Sequence, residues 1–234
     1  MKKIQSSQKD NILVSVCCIA YNHDKYIREC IEGFLMQKTD FPFEIIIHDD
    51  ASTDRTPQII QEYVNRYPKL IFPILQSENQ YSKGKKPFIN FVFPQAKGKY
   101  IALCEGDDYW TDPLKLQKQV DFLEMNPDYV MSYHNAMIVD ESGNIINPSK
   151  LPDNFKKDFS REEISKGAWI LTLTNCFRNV MKDIPAEVAH VYNGDTFFNS
   201  LLGSFGKGKY MADITPAAYR VHPESIWSSL DECV

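Results

Sequence analysis

Long apolar runs alternate with polar segments along the first half of the chain. Three runs, at positions 12–20, 43–50 and 99–105, read ILVSVCCIA, FEIIIHDD and KYIALCE. Nearly continuous apolar stretches of this kind are typical of strands that a parallel sheet buries on both faces. A fourth run, LIFPILQ at 70–76, contains Pro73, which cannot donate a ladder hydrogen bond and therefore predicts an edge strand.

Helical patterns lie between and after these runs. One helix follows YNHDK and runs to about Gln37, and another ends at Met125 after starting at Asp112 and Pro113. Between them, Thr56 is the predicted N-cap and Pro57 the predicted first helical residue of a helix that reaches Tyr67. Strand and helix thus alternate through residues 12–125, which predicts an α/β layered fold.

The second half is less regular. Residues 129–147 predict a strand and a hairpin around ESGN, and Ser160 with Glu163 forms a capping box for a short helix. NGDTFFNSLLG at 193–203 predicts a further helix with Asp195 in its first turn. Repeats and linkers are absent from the sequence, so residues 1–234 are predicted to form a single domain whose role changes near residue 125.

Charge and composition exclude several classes of protein. A net charge of -5 and a pI near 5.6 give no broad basic face, so a nucleic-acid partner is not expected. The N-terminal segment is polar, and no apolar run approaches the roughly 18 residues that span a bilayer. Six cysteines lack C-x-x-C or zinc-ligand spacing. We therefore expect a cytoplasmic protein with reduced cysteines.

Polar residues follow each of the three strongest strands. They are Tyr21 and Asn22, then Asp49 and Asp50, then Glu105, Asp107 and Asp108. The carboxyl ends of parallel strands meet at one edge, where α/β sheets bind ligands, so five carboxylates would face one crevice. A shared Mg²⁺ or Mn²⁺ bound to a diphosphate would offset their repulsion. The alternative is that EGDD is only a solvated turn and helix cap.

The usual phosphate-binding loops are missing. Neither G-x-G-x-x-G after the first strand nor G-x-x-x-x-G-K-[ST] occurs, which argues against dinucleotide oxidoreductases and P-loop enzymes. The segments KGKK at 83–86 and GKGK at 206–209 are predicted to be flexible surface loops. Trp110, Trp169 and Trp227 are candidates for stacking on a sugar, although packing is the commoner role, and only Trp110 is near the acidic cluster in the sequence.

Three motifs together carry a resemblance to a known family. VSVCCIAYNHDKYIRECIEGFLMQ, FEIIIHDDASTDRTPQII and GKYIALCEGDDYWTDPLKLQKQVDFL resemble, in order and spacing, the family 2 glycosyltransferases. The resemblance spans residues 12–125 and is thinner beyond, where it rests on NGDTFF and YRVHPES. It implies the GT-A (Rossmann-like) fold, with a central, mostly parallel sheet flanked by helices. It also implies a nucleotide-sugar-binding half at about 12–108 and an acceptor-binding half at about 109–234.

The resemblance also implies roles for individual residues. Asp50 would accept a hydrogen bond from the nucleotide base, and Asp195 would be the catalytic base unless it only stabilises its helix N-terminus. Asp108 would be the direct metal ligand, assisted by Asp107 and His222, whereas Glu105 stands where many members have the first Asp of D-x-D. The residues implied for the nucleotide site are Ala20, Tyr21, Asn22, Asp50, Ser52 and Asp107.

The function implied is metal-assisted, inverting transfer of a sugar from a nucleotide-diphosphate sugar, with UDP the expected nucleotide, to a glycan or lipid-linked acceptor. A lipid-linked acceptor would bring the protein to the inner face of the membrane. Two other classes stay open: a nucleotidylyltransferase of sugar phosphates, and a signalling module phosphorylated at Asp49 or Asp50. AYNHDK is unlike the Gly- and Lys/Arg-rich loop of the former, and the long second half has no use in the latter.

Overall fold

Strands and helices alternate in the first half of the protein, as the apolar pattern predicts. The computed structural model describes residues 12–180, 184–191 and 193–223. The first seven elements are β1 (Val14–Ala20), α1 (Ile27–Leu35), β2 (Phe43–Asp49), α2 (Thr56–Arg66), β3 (Ile71–Leu75), β4 (Tyr100–Glu105) and α3 (Lys115–Met125).

Shorter elements make up the second half. They are β5 (Tyr129–Tyr133), β6 (Ala136–Val139), β7 (Ile145–Asn147), α4 (Arg161–Ser165), β8 (Cys176–Arg178), α5 (Gly194–Leu202), β9 (Lys207–Tyr210) and β10 (Ala217–Arg220). Single helical turns at 81–83, 88–92, 93–95, 153–155, 172–174 and 186–190 connect them. The predicted hairpin around ESGN is confirmed as the antiparallel pair β6 and β7.

A seven-stranded sheet in the order β3-β2-β1-β4-β8-β5-β9 lies at the centre. All of its neighbouring pairs are parallel except those of β8, which runs antiparallel to β4 and β5. A small second sheet has the order β10-β6-β7. This is the GT-A arrangement, a large and mostly parallel sheet flanked by helices, and strands of both halves of the chain build it.

Burial explains why the first strands read as continuous apolar runs. β1 and β4 lie inside the sheet with helices on its faces, and Val16 and Ala102 are fully buried there. β3 is an edge strand, as predicted from Pro73, because β2 is its only sheet neighbour among the described strands. The carboxyl ends of β1, β2 and β4 therefore meet at one edge, where their loops form the candidate site.

The starts of two helices differ from their predicted positions, and one predicted helix cap is confirmed. α2 begins at Thr56 itself, because Asp54 Oδ1 accepts the Thr56 amide at 2.9 Å. α3 begins two residues later than predicted, because the Asp112 carboxylate accepts the Leu114 amide at 2.8 Å and holds Leu114 outside the helix. The capping box of α4 is confirmed: the Ser160 hydroxyl and the Glu163 carboxylate each accept the other residue's amide.

The segment GKGK is an ordered edge strand, not the predicted loop. β9 pairs in parallel with β5, and a Cβ added at Gly208 would lie 3.1 Å from Ile164 Cδ1, so glycine lets α4 pack closely on the strand. Lys207 and Lys209 point to carboxylates of neighbouring loops. The outer side of β9 is covered at Gly208, which exchanges two backbone hydrogen bonds with Phe159.

Candidate active site

The acidic loop, residues 105–108 at the end of β4, packs against the end of β1 and the start of α1. The Gly106 amide donates to Ile19 O at 2.8 Å, which continues the strand pairing into the loop. A Cβ added at Gly106 would lie 3.0 Å from each of Ala20 Cβ, His23 Nδ1 and Ile27 Cδ1. A larger residue would therefore push the loop away, and glycine allows Asp107 to approach His23.

Asp107 lies at the centre of a group of metal-ligating side chains. Its Oδ2 is 3.2 Å from His222 Nε2 and 3.7 Å from His23 Nε2. One ligand atom from each of the three residues lies within 4.8 Å of the others. Burial raises the pKa of Asp107, but His23 and His222 outweigh it and the net pKa is lowered, whereas burial lowers the pKa of His23.

The donor set fits a divalent cation. Two imidazole nitrogens and a carboxylate oxygen converge, and the cation would offset the negative charge gathered in this crevice. The Nδ1 atoms of both imidazoles are buried and have no hydrogen-bond partner among the described residues. In both rings Nε2 is the nitrogen that faces Asp107 Oδ2, and it is therefore the atom that could ligate a cation shared with Asp107.

Asp108, the predicted direct metal ligand, lies outside this group. Its side chain is buried, and Oδ1 accepts the backbone amide of Arg220 at 2.9 Å. Burial, followed by the neighbouring charges of Asp107 and Glu105, raises the pKa of Asp108 well above its usual value. Asp108 thus joins the acidic loop to β10, and His23 stands in the group in its place.

Arg220 fixes the same loop from the other side. Its guanidinium is almost fully buried and donates to Asp107 O at 3.0 Å and to Glu141 O at 2.9 Å, and it also pairs with Glu29. The bonds join α1, the acidic loop and the hairpin of β6 and β7. Since Arg220 lies two residues before His222, it also holds the chain that brings this imidazole to Asp107.

A second group of side chains joins Glu105 to Asp195. The Thr172 hydroxyl donates to Asp195 Oδ2 at 3.3 Å, and it also lowers the pKa of Glu105 through a side-chain hydrogen bond. Burial, then the charges of Asp107 and Asp195, raise the pKa of Glu105 to about 8. Asp107 and Asp195 are therefore both close to Glu105, which is the last residue of β4.

Asp195 is not needed to cap its helix. Asn193 Oδ1 accepts the Thr196 amide at 3.3 Å and caps α5, while the Asp195 side chain is exposed. The helix prediction for NGDTFFNSLLG is confirmed by α5. Its first turn presents the Asp195 carboxylate to solvent beside Thr172, where an external hydroxyl group can reach it.

Apart from Asp107, the residues predicted for the nucleotide lie at the ends of β1 and β2, where hydrogen bonds join the two loops that follow. Tyr21 is 45% exposed at the end of β1, and Ala20 O accepts the Asp50 amide at 2.9 Å. The Ser52 hydroxyl accepts the Asn22 amide at 2.8 Å and donates to Asp49 Oδ1 at 2.5 Å. Asn22 has a φ of 56°, a conformation that Asn tolerates better than most residues.

Asp50 anchors a loop in this structure. Its side chain is buried, with Oδ1 accepting the Gln80 amide at 2.8 Å and Oδ2 accepting the Tyr81 amide at 2.9 Å. An ionised carboxylate has about four lone-pair sites, so these two bonds leave room for a further donor. The role of Asp50 at the nucleotide base stays a prediction, with loop support as a second role.

Sequence reasoning missed His23, Arg220 and Thr172. His23 follows β1 within AYNHDK, and the rule that selected Tyr21 and Asn22 at the sheet edge would have included it. Arg220 and Thr172 gave no local signal, because their partners lie far away in the sequence: 113 residues separate Arg220 from Asp107, and 23 separate Thr172 from Asp195.

Trp110 is buried and Trp169 is exposed, although Trp110 is the tryptophan nearer to the acidic cluster in the sequence. Trp110, the one near the acidic cluster in the sequence, is 1% exposed and donates from Nε1 to Leu173 O at 2.8 Å. It packs against Phe34 in the core. Trp169 is 42% exposed. Trp227 lies outside the described residues.

The described cysteines are buried thiols, and the described helices are unsuited to span a membrane. Cys17, Cys18, Cys30, Cys104 and Cys176 are all buried free thiols. Within the described ranges, none of the helices has both the length and the apolar character required to cross a lipid bilayer.

Comparisons with known proteins identify relatives of this chain. The family described as Glycosyl transferase family 2 matches residues 15–185. An uncharacterized protein of Mycobacterium tuberculosis is 40% identical over 219 residues, which cover 92% of this chain and 61% of that protein. WfaP of Escherichia coli, a UDP-Glc:alpha-D-GlcNAc-diphosphoundecaprenol beta-1,3-glucosyltransferase, is 37% identical over 126 residues, covering 54% of this chain and 47% of WfaP. The chain thus spans about three fifths of the first of these relatives.

Solved structures share the fold. S. aureus TarS in complex with UDP-GlcNAc has a TM-score of 0.67 at 21% identity, covering 93% of this chain and 61% of that one. A mannosyltransferase from Pyrobaculum calidifontis in complex with GDP-Man and Mn²⁺ also has a TM-score of 0.67, at 18% identity, covering 91% and 58%. At these identities the likeness establishes the GT-A fold of this chain.

Proposed function

The chain belongs to glycosyl transferase family 2, and from this premise we propose that it transfers a sugar from a nucleotide-diphosphate sugar to an acceptor hydroxyl with inversion. One observation carries the proposal. Asp107, from the group with His23 and His222, and the exposed Asp195 are both close enough to Glu105 to raise its pKa. Glu105 is the last residue of β4. Diphosphate binding and proton removal are therefore assigned to separate side chains of one crevice.

The donor is proposed to be a UDP-sugar. WfaP uses UDP-Glc according to its name, and TarS was solved with UDP-GlcNAc. In this chain Tyr21 and Asp50 would contact the base, with Ala20, Asn22 and Ser52 forming the loops around it. Asp107 follows in the next loop, so the diphosphate would extend from the base towards Asp107.

We propose that Asp107, His222 and His23 would hold the divalent cation that the donor's diphosphate requires. When bound, the cation would stabilise the negative charge that develops on the leaving diphosphate. The mixed imidazole and carboxylate set favours Mn²⁺ over Mg²⁺, which prefers oxygen ligands, and the Pyrobaculum enzyme was solved with Mn²⁺. Asp108 would support this site by holding the acidic loop on β10.

Asp195 is proposed to accept the proton of the acceptor hydroxyl as that oxygen attacks the anomeric carbon from the face opposite the diphosphate. The Thr172 hydroxyl holds one carboxylate oxygen, which turns the other towards the crevice. For the acceptor we propose a glycan or a lipid-linked glycan. WfaP acts on a diphosphoundecaprenol-linked sugar by its name. A lipid-linked acceptor would place the chain in the cytoplasm at the inner face of the membrane.

Two alternative functions have less support. The signalling module needs an accessible aspartate, whereas Asp49 and Asp50 are 1% and 3% exposed and already accept hydrogen bonds. The nucleotidylyltransferase finds no support in the family match, which is to glycosyl transferases.

A donor screen tests the proposal. The chain would be incubated with Mn²⁺ and a panel of UDP-sugars and GDP-mannose, with and without glycan acceptors. We expect release of nucleoside diphosphate that depends on the sugar donor. Pyrophosphate exchange without such release would favour the nucleotidylyltransferase, and a stable aspartyl-phosphate would favour the signalling module.

A further inference from the structure

A surface pocket lies next to the first turn of α5, the helix that carries Asp195. Its volume is about 270 Å³, and its wall includes Phe155, Lys157, Phe159, Glu163, Gly167 and Ala168. Ligand pockets generally occupy roughly 300–1,000 Å³, so this one is small and suits a single ring better than a long chain. It is separate from the group around Asp107.

Trp169 is an exposed aromatic residue whose ring contacts Phe155 of the pocket wall. It follows Ala168 directly, and its ring lies edge-on to that of Phe155 at a centroid distance of 5.6 Å and an angle of 81°. Phe155 in turn contacts Phe159, which stacks on the buried Tyr133 at 5.6 Å. The indole is therefore supported by a row of rings that reaches the core, which gives it a defined orientation despite its 42% exposure.

The charges on the pocket wall are already paired. Lys157 Nζ lies 2.6 Å from Glu163 Oε1, and Lys166 Nζ lies 2.6 Å from Glu162 Oε1. A diphosphate or another anion would have to compete with these carboxylates for the lysines. A neutral ligand with an apolar face and hydroxyl edges matches the pocket better, since the rings can contact the face and the paired side chains can exchange hydrogen bonds with the hydroxyls.

The pocket lies close to the proposed catalytic base. A Cβ added at Gly167 would lie 3.4 Å from Thr196 Cγ2, so the pocket wall contacts the first turn of α5, next to Asp195. Trp169 and Thr172 are three residues apart, and their Cα atoms are therefore separated by at most about 11 Å. The Thr172 hydroxyl bonds Asp195 directly. A ring held at Trp169 could thus present a hydroxyl towards Asp195.

We infer that this pocket, with Trp169 as its stacking platform, binds a neutral pyranose ring of the acceptor. The inference rests on the proposed function, because it assigns the ring to the acceptor. The acceptor would then be recognised by a sugar unit near the reacting hydroxyl, and not by an alkyl or diphosphate portion bound at this pocket.

Nuclear magnetic resonance titration of the ¹⁵N-labelled chain tests the inference. The probes are methyl β-D-glucopyranoside, methyl N-acetyl-β-D-glucosaminide and decyl diphosphate, and the readouts are the indole N–H of Trp169 and the amides of Gly167 and Ala168. We expect saturable shifts with at least one glycoside, while the buried Trp110 indole does not move. No saturable shift with either glycoside, or saturation by decyl diphosphate alone, would overturn the inference.

Variants separate stacking from folding. Trp169→Ala should weaken glycoside binding at least about tenfold, which corresponds to roughly 1.4 kcal/mol, and Trp169→Tyr should restore most of it. Phe72→Ala removes an aromatic ring of similar exposure, 37%, from the distant edge strand β3 and should have no effect. Equal glycoside affinity in Trp169→Ala and the parent chain would contradict the assignment.

Calorimetry of UDP and GDP with Mn²⁺ distinguishes this inference from the proposed function. Trp169→Ala should bind nucleotide as the parent does, and loss of nucleotide binding in this variant alone would make Trp169 structural and overturn the inference. If the parent chain binds neither nucleotide, the proposed function fails, and the assignment of the pocket to an acceptor fails with it. Nucleotide binding by the parent without glycoside binding would overturn only the inference.

Discussion

The two halves of the central sheet differ in how they place functional side chains. In the first half, β1 and β2 have seven residues each and β4 has six, and Asp50 and Asp107 lie within two residues of a strand end. In the second half, β9 has four residues and β8 has three, and Thr172, Asp195 and His222 come from loops and a helix start. The first half positions side chains by regular strand pairing, and the second half by contacts between distant segments.

This difference matches the proposed separation between residues that bind the donor and residues that face the acceptor. Side chains near the ends of β1, β2 and β4 face the proposed donor, where a fixed sheet edge suits a nucleotide common to many enzymes. Asp195, Thr172 and Trp169 face the proposed acceptor from irregular segments, which can vary without disturbing the sheet. His222 and Arg220 cross this division, because they join the second half to the acidic loop.

The largest expected effect comes from the second half. Asp195→Asn removes the proposed proton acceptor, and Asn193 continues to cap α5, so turnover should fall by about 10² to 10⁴ with folding intact. Nucleotide affinity, measured by calorimetry, should stay at the parent value. Asp213→Asn changes another exposed carboxylate and serves as control. Near-parent turnover in Asp195→Asn would remove this residue from the chemistry.

Lys115, at the start of α3 between the two halves, allows a test of how burial changes a pKa and thereby the stability. It is buried, donates to Gln119 Oε1 at 2.6 Å and lies 4.1 Å from the centre of the Trp110 ring. Burial lowers its pKa from 10.5 to about 8. The unfolded chain therefore binds more protons between these pH values, and the contribution of Lys115 to stability becomes more favourable as the pH rises.

The corresponding measurement compares unfolding free energies of the parent and Lys115→Met between pH 7 and pH 10. The parent should gain up to about 3 kcal/mol relative to the variant over this range, since 2.5 pKa units are available. Taking the difference removes the titration of tyrosines and cysteines that both proteins share. A difference that does not change with pH would show that the pKa of Lys115 is not lowered.

Much of the first half could be predicted from sequence because its signals are local. Pro73 in an apolar run identified the edge strand. In the second half, the equally local pair of Ser160 and Glu163 identified the cap of α4. Asp107 and Asp108 could not be told apart, since only the contact of Asp108 with β10 shows which carboxylate turns away. Distance along the sequence favours Trp110 over Trp169 as a residue near the acidic cluster. That distance carries no information about which of the two rings is buried.

Asp50 tests the donor side. Asp50→Ala should weaken UDP binding by about 1–3 kcal/mol, the scale for a hydrogen bond to a charged group. Part of the loss would come from the amides of Gln80 and Tyr81, which lose their acceptor. Asp40→Ala, an exposed carboxylate at the opposite end of β2, is the control for charge. Unchanged UDP affinity in Asp50→Ala would exclude this carboxylate from the nucleotide site.

Thr172 should have the smallest effect. Thr172→Val keeps the shape but removes the hydroxyl that orients Asp195, so kcat should fall about tenfold, equivalent to the roughly 1.4 kcal/mol of one modest hydrogen bond. KM for the donor should stay unchanged, and Thr172→Ser should recover most of the rate. A fall in donor affinity without a change in kcat would place Thr172 on the donor side of the crevice.

The central claim is that Asp107, with His23 and His222, holds the cation that binds the diphosphate. Calorimetry of UDP binding in Mn²⁺ and in EDTA tests it most directly, on the parent, Asp107→Ala and Asp108→Asn. We predict at least about tenfold tighter binding with Mn²⁺ in the parent, a difference that disappears in Asp107→Ala and persists in Asp108→Asn. Equal UDP affinity of the parent in Mn²⁺ and EDTA would contradict the account.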